Sequence, residues 1–425
     1  RVEATLTMSG AARPGEEAGS FYDAVNGTVG RHRTPNPVEC TTKVEGNAID
    51  SANEPAQVFV RLEGNGELLP PRLDTRIADF LGMKRPTLAF EVSYKLVIEP
   101  GERKELAFSV AFANSRAVAS PPTIISFDRA KQAWDERLAH VEAIQTPDKL
   151  FTAALRRSAA YSLSLGYDIA GRDETIFHCD HLEWPLDNAR DCYHIANSLL
   201  LIEPELVRKH LRFYFLDAIP NAGTGKSYIG KGISCGERES RLLDLAAYPL
   251  RELYRYWRAT GDDAFVADPG VRQTVEKIVA DVATWQSPKT GLFASTERSS
   301  DERCVYPYFI PGNMLLIATL ERLAEMYEHE DIAKLAKAGR EAVYRHAVVE
   351  DREFGPMFAF EVGDDGAFLL YDHSDIPNLI SATRFGFCAQ HDPIYQNTLK
   401  FIYSARNQGY RGTMDGKYGE LCDGS

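Results

Sequence analysis

Carboxylates gather at three separated places in this chain. Residues 183–200 read EWPLDNARDCYHIANSLL and bring Asp187, Arg190 and Asp191 to the mouth of an apolar helix. Residues 295–314, STERSSDERCVYPYFIPGNM, carry Glu297, Asp301 and Glu302 in front of another, and residues 369–379, LLYDHSDIPNL, carry Asp372 and Asp375. Paired carboxyl groups are the raw material of general acid and base chemistry, provided that the fold holds them around one reacting bond. The plain structural reading makes Asp187 or Asn188 an N-cap and Asp191 a first-turn acid, each contributing about 0.3 to 1 kcal/mol. That reading leaves Arg190 and Trp184 unexplained. A planar guanidinium beside a carboxylate and an indole can bind a polyhydroxylated ring, hydrogen-bonding its rim and covering its apolar face. At the second cluster the plain reading is a solvated loop neutralised by Arg298 and Arg303, yet the rings of Tyr306 and Tyr308 next to it suit a closed cleft.

Two periodicities divide the chain. The first ~115 residues alternate like strands. In Thr87–Ile98 the residues Leu88, Phe90, Val92, Tyr94, Leu96 and Ile98 face one way, and Glu105–Phe112 repeats the alternation after the turn signal EPGERK. A hairpin with one wet face is expected there. With the alternating run Ala56–Leu62, it predicts an antiparallel β-sandwich over residues 1–125. A helical linker over 126–148 follows, and then an all-α domain over 149–425. Helices are expected at 150–165, 189–201, 205–216, 241–260, 271–285, 313–327, 331–346, 378–389 and 393–404. Some are apolar nearly all round, as NMLLIATL at 313–320 shows, and alternate with amphipathic ones; an inner ring of helices wrapped by an outer ring fits that alternation. In such a toroid the loops at one end surround a single funnel, where the three acid clusters would meet.

Composition narrows the ligand. The chain has 425 residues, 44% hydrophobic and 26% charged, with a net charge of -13 and no Lys- or Arg-rich run, which argues against a polyanionic partner, and a neutral or cationic ligand is expected. Nucleic acid and membrane are not expected partners. The seven cysteines are scattered without a CxxC pair, which predicts neither a zinc site nor a disulfide scaffold, and no metal or cofactor is expected. Their odd number favours a reducing compartment, hence the cytoplasm, although a chain starting at Arg1 leaves secretion open. The stretch NAGTGKS at 221–227 ends like a phosphate-binding loop, but Pro220 stands where that loop needs glycine. The sequence sets no oligomeric state.

DHSDIPNLISATRFGF and HDPIYQNTLKFIYSARNQGYRG resemble the metal-independent exo-acting alpha-mannosidases of glycoside hydrolase family 125, as do SDERCVYPYFIPGNM and LLDLAAYPLRELYRYWRATGDD. The resemblance covers about 183–412. ARDCYHIA also resembles the Arg-Asp element of glucoamylases and debranching glucosidases, which share a six-hairpin (α/α)6 toroid. The resemblance implies an inverting, exo-acting α-glycosidase that removes terminal mannose or glucose from oligosaccharides without a metal. Its acid is implied to be Glu302, with Asp301 next; Trp184, Asp187, Arg190 and Asp191 would grip the terminal sugar, helped by Asp244, Tyr306, Asp372 and Asp375. A raised carboxyl pKa from burial beside Tyr306 and Tyr308 would keep the acid protonated. The family's loop carries two aspartates where this chain has Asp301 and Glu302. Nine helices against the toroid's twelve predict three more beyond Ser425, the general base among them, and little turnover by the 425 residues alone. Two rivals stay open: a sandwich-plus-toroid disaccharide phosphorylase using Arg298 and Arg303 for phosphate, and an inactive carbohydrate-binding protein.

Overall fold

The structure, a computed structural model, describes residues 2–12, 41–45, 48–53, 58–64, 67–69, 72–80, 83–104, 108–113, 127–169, 172–179, 187–229, 233–235, 241–412 and 419–421. It divides into two compact units, residues 1–156 and 157–425.

The first unit contains two four-stranded antiparallel sheets. In one, Met83–Ile98 is the central strand and pairs with Val2–Ala12, Arg72–Phe80 and the short Glu67–Leu68. The other runs in the order Thr41–Glu45, Ala48–Asn53, Val58–Gly64, Phe108–Ala113. The hairpin expected across EPGERK is therefore corrected. The turn exists, with Glu102 N donating to Glu99 O at 3.0 Å, but the strands before and after it enter different sheets. Alternation dictates that a segment is extended; partners are chosen by long-range burial, which alternation does not encode. The helix Phe127–Glu142 completes this unit, and Lys149–Ser164 crosses the boundary at Arg156.

The second unit is built of helices in two rows. Ala189–Leu199, Leu243–Thr260 and Ile310–Tyr327 pack against one another in that order, each followed by a helix of more mixed burial: Pro204–Arg212, Pro269–Ala283 and Glu330–His346. Two stretches of the inner row are covered on nearly every side: residues 243–250 and 310–320 are buried without interruption. Glycine permits the closest approaches. A Cβ on Gly312 would come within 2.9 Å of the Phe309 ring and 3.3 Å of Leu243, and one on Gly339 within 2.9 Å of Phe293. Asn313, fully buried at the start of the third inner helix, accepts from Phe293 N at 2.8 Å and donates to the carbonyls of Phe293 and Phe309, so the loop preceding that helix is tied to its first turn.

The helix expected at 378–389 does not form as one element. A 3-10 turn, Leu379–Ser381, runs into a single α-turn, Ala382–Phe385, which Gly386 ends in the left-handed region at φ 85°. Helix-like apolar spacing there reflects burial of Leu379, Ala382 and Phe385 rather than a continuous helix.

Candidate active site

Arg190 and Asp191 sit in the first turn of Ala189–Leu199. Asn188 caps it, its side chain accepting from Arg190 N at 3.1 Å. Asp187, one residue earlier, is held outside the helix by a two-way backbone bridge to Tyr228 (2.8 and 2.7 Å). The acid loop is folded back on itself, Arg298 N donating to Glu302 O at 2.8 Å, and Asp301 takes φ 63°. A non-glycine residue in that region is held there by its surroundings, and such positions cluster at functional sites. Two contacts fix this loop. Arg298 Nε donates at 2.5 Å to Glu361, a fully buried carboxylate whose other oxygen accepts from Val305 N and Tyr306 N at 2.8 Å. Ser299 Oγ donates to the carbonyls of Asp375 and Pro377, drawing the third cluster to the second.

The three clusters meet. Arg190, Asp191, His194, Ser299, Ser300, Asp301, Ser374, Asp375 and Ile376 line one cavity of about 480 Å³. Arg190 spans it, donating from Nη2 to Asp301 Oδ1 at 2.9 Å and from Nη1 to Asp244 Oδ2 at 3.2 Å. Burial works against the charge of Arg190, but Asp301, Asp244 and Asp191 overcome that and hold it protonated. Burial raises the pKa of Asp191 and of Asp244, and Arg190 partly offsets the shift in both. Cys179 Sγ stands 3.7 Å from Asp191 Oδ2. His194 is held neutral, its pKa lowered to about 4 by burial and then by Arg384 and Arg190.

Several residues expected at the site stand elsewhere. Asp187 is fully buried and its carboxylate is spent on structure, accepting from Tyr214 Oη at 2.5 Å and Phe177 N at 3.1 Å and meeting His210 Nε2 at 2.8 Å. Glu302 does not line the cavity; its side chain is 45% exposed and pairs with Arg298 at 3.0 Å. The burial expected to keep an acid protonated there is absent, since Asp301 too is 43% exposed and Tyr308 turns its hydroxyl to Asp364 at 2.6 Å. Tyr306 lies outside the lining, and Asp244 acts from behind it through Arg190. Asp372 is buried under the third segment, where Oδ1 accepts from Leu379 N at 3.2 Å, and burial pushes its pKa up to about 8. Trp184 falls outside the described residues.

Other residues were not singled out by sequence. His194 lies four positions after Arg190 and so on the same helix face, a signal that helical spacing contains. His210, Glu252 and Glu361 carry no such signal: the first two stand among other charged residues in LVRKHLR and PLRELYR, and Glu361 is a lone acid in the apolar run MFAFEV. His210 bridges Asp187 and Glu252 at 2.8 Å on each side. Asp187, Cys192 and His210 are a grouping among the described residues with metal-ligand chemistry, their ligand atoms within 4.8 Å of one another. All three are buried and already hydrogen-bonded, Cys192 Sγ to Phe177 O at 3.3 Å.

Residues 283–420 match the family model described as metal-independent alpha-mannosidase (GH125). A stretch of 126 residues is 35% identical to the Meiotically up-regulated gene 157 protein of Schizosaccharomyces pombe, covering 28% of this chain and a quarter (25%) of that protein's length. A solved metal-independent alpha-mannosidase of Streptococcus pneumoniae, in a non-productive complex with alpha-1,6-mannobiose, superposes with a TM-score of 0.56 at 20% identity, over 70% of this chain and 81% of that one. A GH78 family rhamnosidase of Bacillus sp. GL1 gives 0.50 at 11% identity, over 86% of this chain and 38% of that one. Those superpositions establish a shared fold. The chain thus resembles the metal-independent alpha-mannosidases of glycoside hydrolase family 125 through residues 283–420, the segment that supplies Asp301 and Asp375 to the cavity.

Proposed function

We propose that this protein is an exo-acting α-glycosidase that takes a terminal α-linked mannose of an oligosaccharide and inverts its anomeric centre. The observation that carries the reading is the Arg190–Asp301 contact across a cavity that Asp191 and Asp375 also line. In this scheme Arg190 and Asp191 bind hydroxyls of the terminal sugar, and Asp301 protonates the departing glycosidic oxygen. A general acid has to arrive protonated, so Arg190 must hand its Nη2 contact to a sugar hydroxyl as the ligand enters. A second carboxylate, ~6.5 to 9.5 Å from the acid in inverting enzymes, activates water on the opposite face. The alpha-mannosidase family model and the mannobiose-bound neighbour support mannose over glucose as the sugar.

The geometry counts against a phosphorylase. Arg298, which would help to hold phosphate, is already taken by Glu361 and Glu302. The sandwich arrangement of the two sheets in residues 1–125 is part of the same proposal, as is a cytoplasmic setting.

The test is hydrolysis of an aryl α-mannoside and an aryl α-glucoside, with the anomer of the released sugar followed by NMR. Release of β-mannose first, independent of phosphate and of chelators, is the expected result. Preference for the glucoside, or first release of the α-anomer, would overturn it.

A further inference from the structure

His194 has unusual surroundings for a half-buried histidine. It lines the cavity one turn after Arg190, and neither ring nitrogen hydrogen-bonds to another described residue. Its ring packs against Tyr193 at 5.1 Å and edge-on to Tyr248 at 5.7 Å; these two rings stack on each other at 4.8 Å and fix the imidazole plane from behind. Tyr248 is fully buried, so that wall does not yield. Every element packed around the imidazole contributes a charged or titratable group. Its own helix supplies Arg190 and Asp191, Leu243–Thr260 supplies Asp244 and Tyr248, Ala382–Phe385 supplies Arg384, and Asp301 and Asp375 face it from the cavity wall.

We propose that His194 is a specificity-determining residue of this cavity, whose imidazole, held against the Tyr193 and Tyr248 rings, exchanges hydrogen bonds with one hydroxyl of a neutral terminal sugar and so selects uncharged hexosides over acidic or phosphorylated ones. The inference rests on the glycosidase reading and adds a residue that selects the sugar. A neutral imidazole has one donor and one acceptor, which a sugar hydroxyl, itself donor and acceptor, can match at both nitrogens or through one. A protonated ring would only donate, and would suit a carboxylate or phosphate. Burial and the two arginines keep the ring neutral, while Asp191, Asp301 and Asp375 give the cavity an acidic wall that repels an anionic sugar.

The experiment titrates methyl α-mannoside, its monodeoxy derivatives and mannose 6-phosphate into the wild-type chain, His194→Gln and His194→Phe, and follows the imidazole nitrogen shifts of the wild type with pH. The proposal expects one monodeoxy sugar to bind the wild type about 5- to 10-fold more weakly than the parent, the loss typical of one neutral hydrogen bond. That same sugar should be indifferent to His194→Phe, whereas the parent loses a similar factor and His194→Gln restores part of it. The phosphorylated sugar should not bind, and the ring should stay neutral through pH 5.5. Equal losses for all sugars in His194→Phe, or a ring that titrates near the ordinary value of about 6.5, would overturn the proposal and leave the glycosidase reading standing. A wild-type chain that binds no hexoside overturns both.

Discussion

Arg190 and Asp301 are 111 positions apart and joined by a 2.9 Å contact, and the same guanidinium reaches Asp244 at 3.2 Å. One side chain thus ties the first turns of two inner helices to the acid loop of a third.

Removing it should cost stability as well as binding. Asp244 is 4% exposed, and Arg190→Ala leaves that carboxylate buried without its cation. The expected loss is about 3 kcal/mol at neutral pH, nearly all of it from Asp244, because Asp301 is too exposed for its half of the contact to be worth much. Urea unfolding measures it. Asp244→Asn in the same chain should recover most of the stability and none of the sugar affinity, whereas recovery of both would mean that Arg190 is purely structural.

Asp301 and Glu302 are neighbours with different fates, and substitution separates them. Asp301→Asn should lower kcat on an aryl α-mannoside by roughly 10²- to 10⁴-fold, the usual contribution of a general acid, with sugar affinity kept within about threefold. Glu302→Gln should leave both within about threefold, since Glu302 pairs with Arg298 outside the cavity. The reverse ranking would restore Glu302 as the acid.

That pair also shows where sequence stops being informative. Adjacent residues in a loop have no period, and the left-handed turn at Asp301 that decides which carboxyl enters the cavity leaves no trace in composition. Asp187 and Asp191 illustrate the same limit at a helix. Four apart, they would share a face if both were helical, but Asp187 lies before the Asn188 cap in a backbone bridge and points into the core. Legible from residues alone were the helices with strong apolar spacing, such as Ile310–Tyr327, and the convergence of Arg190, Asp191, Asp301 and Asp375. Strand partners in the first unit were not, because a strand's alternation is the same whichever neighbour it takes.

The His210 bridge makes a separate prediction. Burial pulls the pKa of His210 down, but Glu252 and Asp187 overcome it and raise the ring to about 10, so it is charged at neutral pH. A histidine raised above its unfolded value of about 6.5 contributes stability fully present below pH 6.5 and lost as pH climbs toward 10. His210→Ala strands two carboxylates in the core and should cost about 3 to 5 kcal/mol at pH 7, measured by denaturant midpoint. A cost under 1 kcal/mol would show that the carboxylates take up protons instead.

Asp372 should give stability a pH dependence of the same sign, separable because it begins at lower pH. Its carboxyl is fully buried, Oδ1 accepts from Leu379 N, and Oδ2 has no hydrogen-bond partner among the described residues. Burial raises its pKa from 3.8 to about 8, with the backbone amides of Leu379, His373 and Ile380 pulling it part of the way back. Because the folded value lies above the unfolded one, the stability is complete below about pH 4 and is lost as pH rises through 8, at up to about 1.4 kcal/mol per pH unit. Asp372→Asn keeps an acceptor for Leu379 N and carries no titrating group. Its stability relative to wild type should therefore improve steadily between pH 5 and pH 8 in urea titrations. A constant difference between the two proteins over that range would mean that Asp372 is ionised throughout, stabilised by groups that offset its burial.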